Sequence, residues 1–327
     1  VYQNPNEGVP VRLAVLDSSY GDIAVEAAAA AALGVEVVDA RVDASPVDGV
    51  LVQYATVGAA ELDAHPEWRV IGRYGVGVDT IDLAAASERG IPVVNVPDYC
   101  EEEVATHAAA LVLAATRRVG EADALVRAGR WAEWNTLRPV RALSGMTLSL
   151  LGVGRIGRET IRLLSPFFGR IIAHDPWAAD VPGAELVSLE EALAEADVLS
   201  LHAPLTADTH HIIDAAAIAR LKPTAYLVNV SRGGLVDSAA LAAALHEGRL
   251  AGAALDVLEQ EPPAGDPILD APHVTLTNHL AWYSEESEER LRSLLAERCA
   301  SVVTTGDAPT IVNRADLAAR RGAPTPG

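Results

Sequence analysis

Cysteine is nearly missing from this 327-residue chain. There are two, Cys100 and Cys299, far apart and outside any metal-ligand spacing. That excludes a disulfide framework and a cysteine-built zinc cluster, and makes a reducing, cytoplasmic home the expectation. Positive charge is scarce too: 25 Lys and Arg stand against 45 Asp and Glu, a net charge of −20. Nucleic acid and anionic membranes are poor partners for such a surface, because phosphate recognition uses basic groups. A small anionic substrate would meet a repulsive field at long range, so local cations must hold it. Long hydrophobic runs are also missing; the alanine-rich stretch 104–116 is too short to span a bilayer. No secretory signal pattern opens the sequence.

What is present is apolar residue in quantity, half of the chain, and length enough for two domains. Short apolar runs alternate with alanine-rich helical segments, the βαβ rhythm of an α/β protein with parallel sheets. The first series places strands at 11–16, 35–39, 49–53, 68–72 and 92–96, with helices such as 21–33 and 81–88 between them. The segment "EEEVATHAAALVLAATRR" (101–118) carries acids in its first turn and arginines in its last, which suits a helix dipole. Its middle is apolar on every face and predicts a helix buried between two bodies. The loop 129–144, with Trp131 and Trp134, reads as an excursion onto a second subunit of a homodimer. A second series follows at 147–151, 170–174, 197–201, 225–230, 251–255 and 273–277. The helix 284–303 would then return the chain to the first domain. The expected division is 1–103 with 284–327 as one domain and 104–283 as an insertion.

"TLSLLGVGRIGRETIRLL" sets Gly152, Gly154 and Gly157 in GxGxxG spacing between an apolar strand and an amphipathic helix. Gly152 allows the tight turn, Gly154 lets a pyrophosphate approach backbone N–H groups, and Gly157 lets helix and sheet lie close. Arg155 and Ile156 lie inside the fingerprint and are expected near the cofactor, although Arg155 also reads as a solvated helix charge. Asp175 ends the next strand, where a carboxylate would bind a ribose 2′-hydroxyl and repel a 2′-phosphate. The expected cofactor is therefore NAD rather than NADP.

Three more polar residues follow strands of the second series: Arg232 in "LVNVSRGGLVD", Glu261 in "LDVLEQEPP" and His279 in "TLTNHLAWYS". Singly, Arg232 reads as a turn cation, Glu261 as a loop carboxylate and His279 as a packed core histidine. Together at one sheet edge they suit alcohol oxidation. A histidine takes the hydroxyl proton, a carboxylate orients it and favours its charged form, and a guanidinium grips a substrate carboxylate.

These segments, with "RYGVGVDTIDL" (73–83), resemble the D-isomer-specific 2-hydroxyacid dehydrogenase family over nearly the whole chain, with a look of its phosphoglycerate dehydrogenase members. The resemblance implies two doubly wound domains, a Rossmann NAD-binding domain inserted in a flavodoxin-like substrate domain. It implies His279 as acid/base, Glu261 as its partner and Arg232 on the substrate anion. Val76 and Gly77 would offer N–H groups to the same anion. Pro204, Thr209, Val230, Ser231 and Asp256 would line the cofactor cleft, and Gly233 and Gly234 would let the backbone turn beside the nicotinamide. The substrate would be a small 2-hydroxy or 2-keto acid, or a mimic such as a hydroxyphosphonate. Tyr54, Tyr74, Trp282 and Tyr283 read equally as pocket lining or as packing.

Two positions depart from the family pattern. Asn278 stands where proline usually precedes the histidine, and Ala108 where several relatives carry a cofactor-contacting threonine. Glu261 argues against a formate dehydrogenase, which pairs its histidine with glutamine. "HPEWRVIGRYGVGVD" and "HLAWYSEES" also resemble the C-terminal-binding proteins, NAD-sensing corepressors on the same fold, so a cofactor-dependent binding module is the alternative.

Overall fold

The computed structural model describes residues 10–43 and 45–322; the opening residues, on which the signal-peptide expectation rests, lie outside these. The chain divides into two compact units, residues 1–100 with 284–327 and residues 101–283.

The first unit holds β1 (Val11–Val15), β2 (Val35–Asp39), β3 (Gly49–Val52), β4 (Val70–Arg73) and β5 (Val93–Val94). Their order is β2-β1-β3-β4-β5, with every pairing between them parallel. That is the flavodoxin-like arrangement. Two strands start later than the sequence suggests. Trp68 sits in the core rather than in the ladder, and Pro92 has no N–H to donate, so β4 starts at Val70 and β5 at Val93.

Helix Glu285–Thr305 brings the distant end of the chain back onto this sheet and onto helix Ala24–Ala31. Ser284 and Ser287 cap its start reciprocally, with Ser287 N–H to Ser284 Oγ at 2.9 Å and the reverse bond at 2.8 Å. Gly306, at φ 85°, ends it in the left-handed conformation. Arg292 of this helix donates through Nε and Nη2, both at 2.9 Å, to the fully buried carboxylate of Glu26. Tyr74 Oη donates to the same carboxylate at 2.9 Å. Tyr74 is thus a buried structural residue, not pocket lining.

The second unit holds β6 (Thr147–Leu151), β7 (Arg170–His174), β8 (Glu185–Leu186), β9 (Val198–Leu201), β10 (Tyr226–Asn229), β11 (Gly252–Leu255) and β12 (Val274–Leu276). They form one parallel sheet in the order β12-β11-β10-β9-β6-β7-β8. β9, β10 and β11 are buried at every residue, which is why each reads as an unbroken apolar run. The chain winds from β6 outward to β8, then returns to the other side of β6 with β9. The crevice between β6 and β9 is therefore the topological switch point, where sheets of this kind bind ligands.

Helix Glu101–Thr116 packs on this sheet and on helix Arg155–Leu164. It is not buried all round as its composition suggested: Glu102, Thr106 and Ala110 form an exposed strip. Alanine allows burial without requiring it. The helix breaks at Arg118, left-handed at φ 52°, and a second helix, Val119–Arg127, follows. Within 129–144, residues Trp131–Leu137 form 3-10 turns with Trp131 79% and Trp134 62% exposed.

Candidate active site

The glycine fingerprint lies in the crevice between β6 and β9. Gly152 follows β6 at φ 90°, and a Cβ there would come within 2.6 Å of Ala203 N and 2.7 Å of the His202 carbonyl carbon. Only glycine fits so close to the chain leaving β9. A Cβ on Gly154 would meet nothing within 4 Å. That open ground lies at the N-terminus of helix Arg155–Leu164, whose first N–H groups suit a phosphate. A Cβ on Gly157 would strike Gly152 O at 2.5 Å, so this third glycine lets the helix close on the loop. These residues fit a dinucleotide.

Asp175 Oδ2 accepts from Val153 N–H at 2.9 Å and Oδ1 from Trp177 N–H at 2.9 Å. Its carboxylate therefore pins the glycine loop to the end of β7 and remains half-exposed. Arg155 is exposed and ion-paired with Glu101 at 2.8 Å, and Ile156 beside it is half-buried. After β9, Thr209 Oγ1 donates to Pro204 O at 2.7 Å and accepts from Thr206 N–H at 2.8 Å, which folds the loop 204–209 onto itself. Ser231 Oγ donates to Ala203 O at 2.6 Å and Val230 is buried, so the ends of β9 and β10 are tied together. Beneath the glycine loop, burial pushes the His202 imidazole down to about 4; its Nδ1 is buried without a partner and its Nε2 lies 2.9 Å from Ser200 Oγ.

Arg232, Glu261 and His279 follow β10, β11 and β12, three neighbouring strands, at their carboxyl ends. Asn229, the last residue of β10 and fully buried, shapes the first of these loops. Its Nδ2 donates to Arg232 O at 2.9 Å and its Oδ1 accepts from Ser231 N–H at 3.0 Å. Arg232 Nη1 donates to Ser231 O at 2.8 Å. The glycines after it have a different reason from the one expected. Neither Gly233 nor Gly234 has positive φ. A Cβ on Gly233 would collide with the backbone of Leu258 and Glu259, and one on Gly234 would press on Leu205 at 3.1 Å. Close approach of neighbouring loops, rather than a turn, demands glycine here.

His279 Nδ1 lies 2.6 Å from Glu261 Oε2, and Leu258 N–H donates to Glu261 Oε1 at 3.0 Å. Burial acts to raise the Glu261 carboxyl. The hydrogen bond and charge of His279, the Leu258 N–H and the charge of Arg232 outweigh it and hold the carboxyl below its ordinary value. His279 is left-handed at φ 57°, a conformation that histidine adopts more readily than most residues. Asp256 holds it there. The Asp256 carbonyl accepts from His279 N–H at 2.8 Å. Its buried carboxylate accepts from Leu280 N–H at 2.8 Å, Ala281 N–H at 2.9 Å and Thr277 Oγ1 at 2.5 Å. The cleft residue suggested by resemblance is, in its immediate contacts, the anchor of the histidine loop.

Sequence reading missed Asn229 and Thr277, although each is a polar residue at the end of an apolar strand, the one signal that could have drawn attention to them. Val76 and Gly77 lie in the first unit, in the loop after β4, with Val76 O accepting from Asn95 Nδ2 at 2.6 Å. Tyr54 is 68% exposed, and Trp282 meets Tyr283 edge-to-face with centroids 5.5 Å apart.

Residues 109–281 match the NAD-binding domain of the D-isomer specific 2-hydroxyacid dehydrogenases. The chain is 39% identical over 272 residues to a glyoxylate reductase of Thermofilum pendens, covering 81% of this chain and 80% of that protein. It is 38% identical over 271 residues to a D-3-phosphoglycerate dehydrogenase of Mycobacterium leprae, covering 81% of this chain but 51% of that longer one. Among solved structures, an NADPH-dependent glyoxylate/hydroxypyruvate reductase of Sinorhizobium meliloti in complex with NADP and malonate superposes with a TM-score of 0.81 at 32% identity, covering 94% of this chain and 98% of that one. A D-lactate dehydrogenase of Aquifex aeolicus complexed with NAD and lactic acid gives 0.81 at 27% identity, covering 91% and 98%. The chain belongs to the D-isomer-specific 2-hydroxyacid dehydrogenase family and is an oxidoreductase that transfers hydride between a nicotinamide cofactor and a 2-hydroxy or 2-keto acid.

Proposed function

We propose that this enzyme works with NAD(H) on a small 2-keto acid or its D-2-hydroxy counterpart, of the glyoxylate and hydroxypyruvate class, with His279, Glu261 and Arg232 as its catalytic residues. The relatives named for glyoxylate support the substrate size. A hydroxyphosphonate in place of the hydroxy acid is chemically compatible, since Arg232 recognises an anion rather than a carbon skeleton. Asp175 supports NAD over NADP: a half-exposed carboxylate already holding two backbone N–H groups leaves oxygen lone pairs for a ribose hydroxyl and repels a phosphate.

The observation that carries the reading is the 2.6 Å contact between His279 Nδ1 and Glu261 Oε2. With Nδ1 committed to the carboxylate, Nε2 is the atom left to exchange a proton with substrate. In reduction the nicotinamide, when bound, supplies hydride to the carbonyl carbon. His279 gives its Nε2 proton to the oxygen as the carbonyl π bond breaks, and solvent restores the proton. Arg232 holds the substrate carboxylate in paired contact and stabilises negative charge on that oxygen. In oxidation each step reverses.

The test is a panel of 2-keto acids with NADH and with NADPH, run on the unmutated enzyme and on His279→Ala. The expected result is turnover of short keto acids with NADH, and a fall in kcat of roughly 10²–10⁴ in the variant with NADH binding retained. Full activity in His279→Ala would remove the assignment.

A further inference from the structure

The loop 258–261 carries two carboxylates, and each holds a histidine. Glu261 faces His279. Glu259, two residues earlier, faces away and meets His211, with Nε2 2.7 Å from Oε1. His210 lies beside His211, ring centroids 4.0 Å apart and planes 28° from parallel. One ligand atom from each of His210, His211 and Glu259 falls within 4.8 Å of the others.

Their backbones are held, so the grouping is built rather than incidental to mobile side chains. His211 is left-handed at φ 51°, its N–H donates to Gly234 O at 2.9 Å, and the backbone at Glu259 lies against Gly233 without room for a Cβ. Hydride transfer in the mechanism above uses none of the three.

We propose that His210, His211 and Glu259 form a binding site for a late first-row divalent cation, zinc by ligand preference. Two imidazole nitrogens with one carboxylate oxygen suit zinc and leave a fourth position for water. Bonds of about 2.0–2.2 Å to one ion place ligand atoms roughly 3–3.5 Å apart. The His211–Glu259 contact opens slightly as the ion replaces the shared proton. His210, exposed, turns its ring to aim a nitrogen at the ion. The bound cation would clamp the loop 204–213, which lines the cofactor crevice, to the loop bearing Glu261. It acts on loop mobility, not on the reacting atoms.

Zinc chloride added to EDTA-treated, desalted enzyme, in competition with a chromophoric chelator, tests this. The expected result is one zinc per chain at about micromolar Kd or tighter, with binding weakened about tenfold or more in both His210→Gln and Glu259→Gln. His279→Ala should bind zinc as the unmutated enzyme does, which separates this site from the catalytic pair. A second measurement needs no variant: zinc should protect the peptide containing His210 and His211 from diethyl pyrocarbonate, but not His65 or His273. No zinc binding below about 100 µM overturns the proposal, as does binding unchanged in either ligand variant, loss in His279→Ala, or absence of protection.

Discussion

At the residue scale, the weight of the site rests on how few atoms of His279 are free to vary. Its N–H is taken by Asp256 O, its Nδ1 by Glu261, and the two residues after it are fixed by the Asp256 carboxylate. Asn278, where the family usually has proline, therefore costs little rigidity, because hydrogen bonds supply what a ring would. The Glu261 carboxyl is held below its ordinary value, so it faces His279 as a carboxylate. Glu261→Gln keeps the shape and removes the charge. On the acid/base role proposed for His279, loss of that charge should move the alkaline falling limb of kcat/KM for keto-acid reduction to lower pH. A pH–rate series on both proteins checks it; an unmoved limb means that the pair is not coupled. Asp175→Ser should shift the NADPH/NADH ratio of kcat/KM toward NADPH by about tenfold, roughly 1.4 kcal/mol. Because Asp175 also braces Val153 N–H, KM for NADH should rise in the same variant. Steady-state kinetics with each cofactor measures both effects.

At the scale of elements, the sheet of the second unit does the assembling. Three consecutive neighbours, β10, β11 and β12, deliver Arg232, Glu261 and His279 to one edge, and their loops interlock through Gly233 and Asp256. Under the glycine loop, His202 is kept neutral by burial, pushed down to about 4 against an ordinary 6.5. Between pH 6.5 and 4 the unfolded chain binds a proton that the native one refuses, so stability should fall as pH drops through that window and level off below it. The loss is on the order of 3 kcal/mol as an upper bound. Urea unfolding across pH 4–7 should show the slope, and His202→Gln should flatten it.

At the scale of the whole molecule, two features reach beyond a single fold element. The Arg292–Glu26 pair joins residues 266 positions apart, which makes helix Glu285–Thr305 part of the first unit rather than an appendage. Trp131 and Trp134 are the other: two large exposed aromatics, with an Arg138 guanidinium 4.9 Å over the Trp134 ring. Apolar area of this kind is the mark of a subunit contact. We propose a homodimer built through 129–144. Sedimentation velocity at micromolar concentration should give a dimer, and Trp131→Ala with Trp134→Ala should shift it toward monomer while far-ultraviolet circular dichroism stays unchanged. A monomeric unmutated protein would end that reading. Among the described residues no helix is long and apolar enough to cross a membrane.

The sequence by itself determined the strand count in the first unit, the two parallel sheets, the nucleotide loop and the three strand-end residues. These depend on local signals: apolar runs with glycine, and polar residues where such runs stop. β8, only two residues long, carries no such signal and escaped notice. Only the tertiary structure decided why Gly233 is glycine, that Tyr74 serves a buried Glu26, that Asp256 anchors the histidine loop, and that Glu259 meets His211. Each of these is a relation between residues distant in sequence. Composition and spacing along one chain cannot say which loop a side chain will find when neighbouring strands bring their ends together.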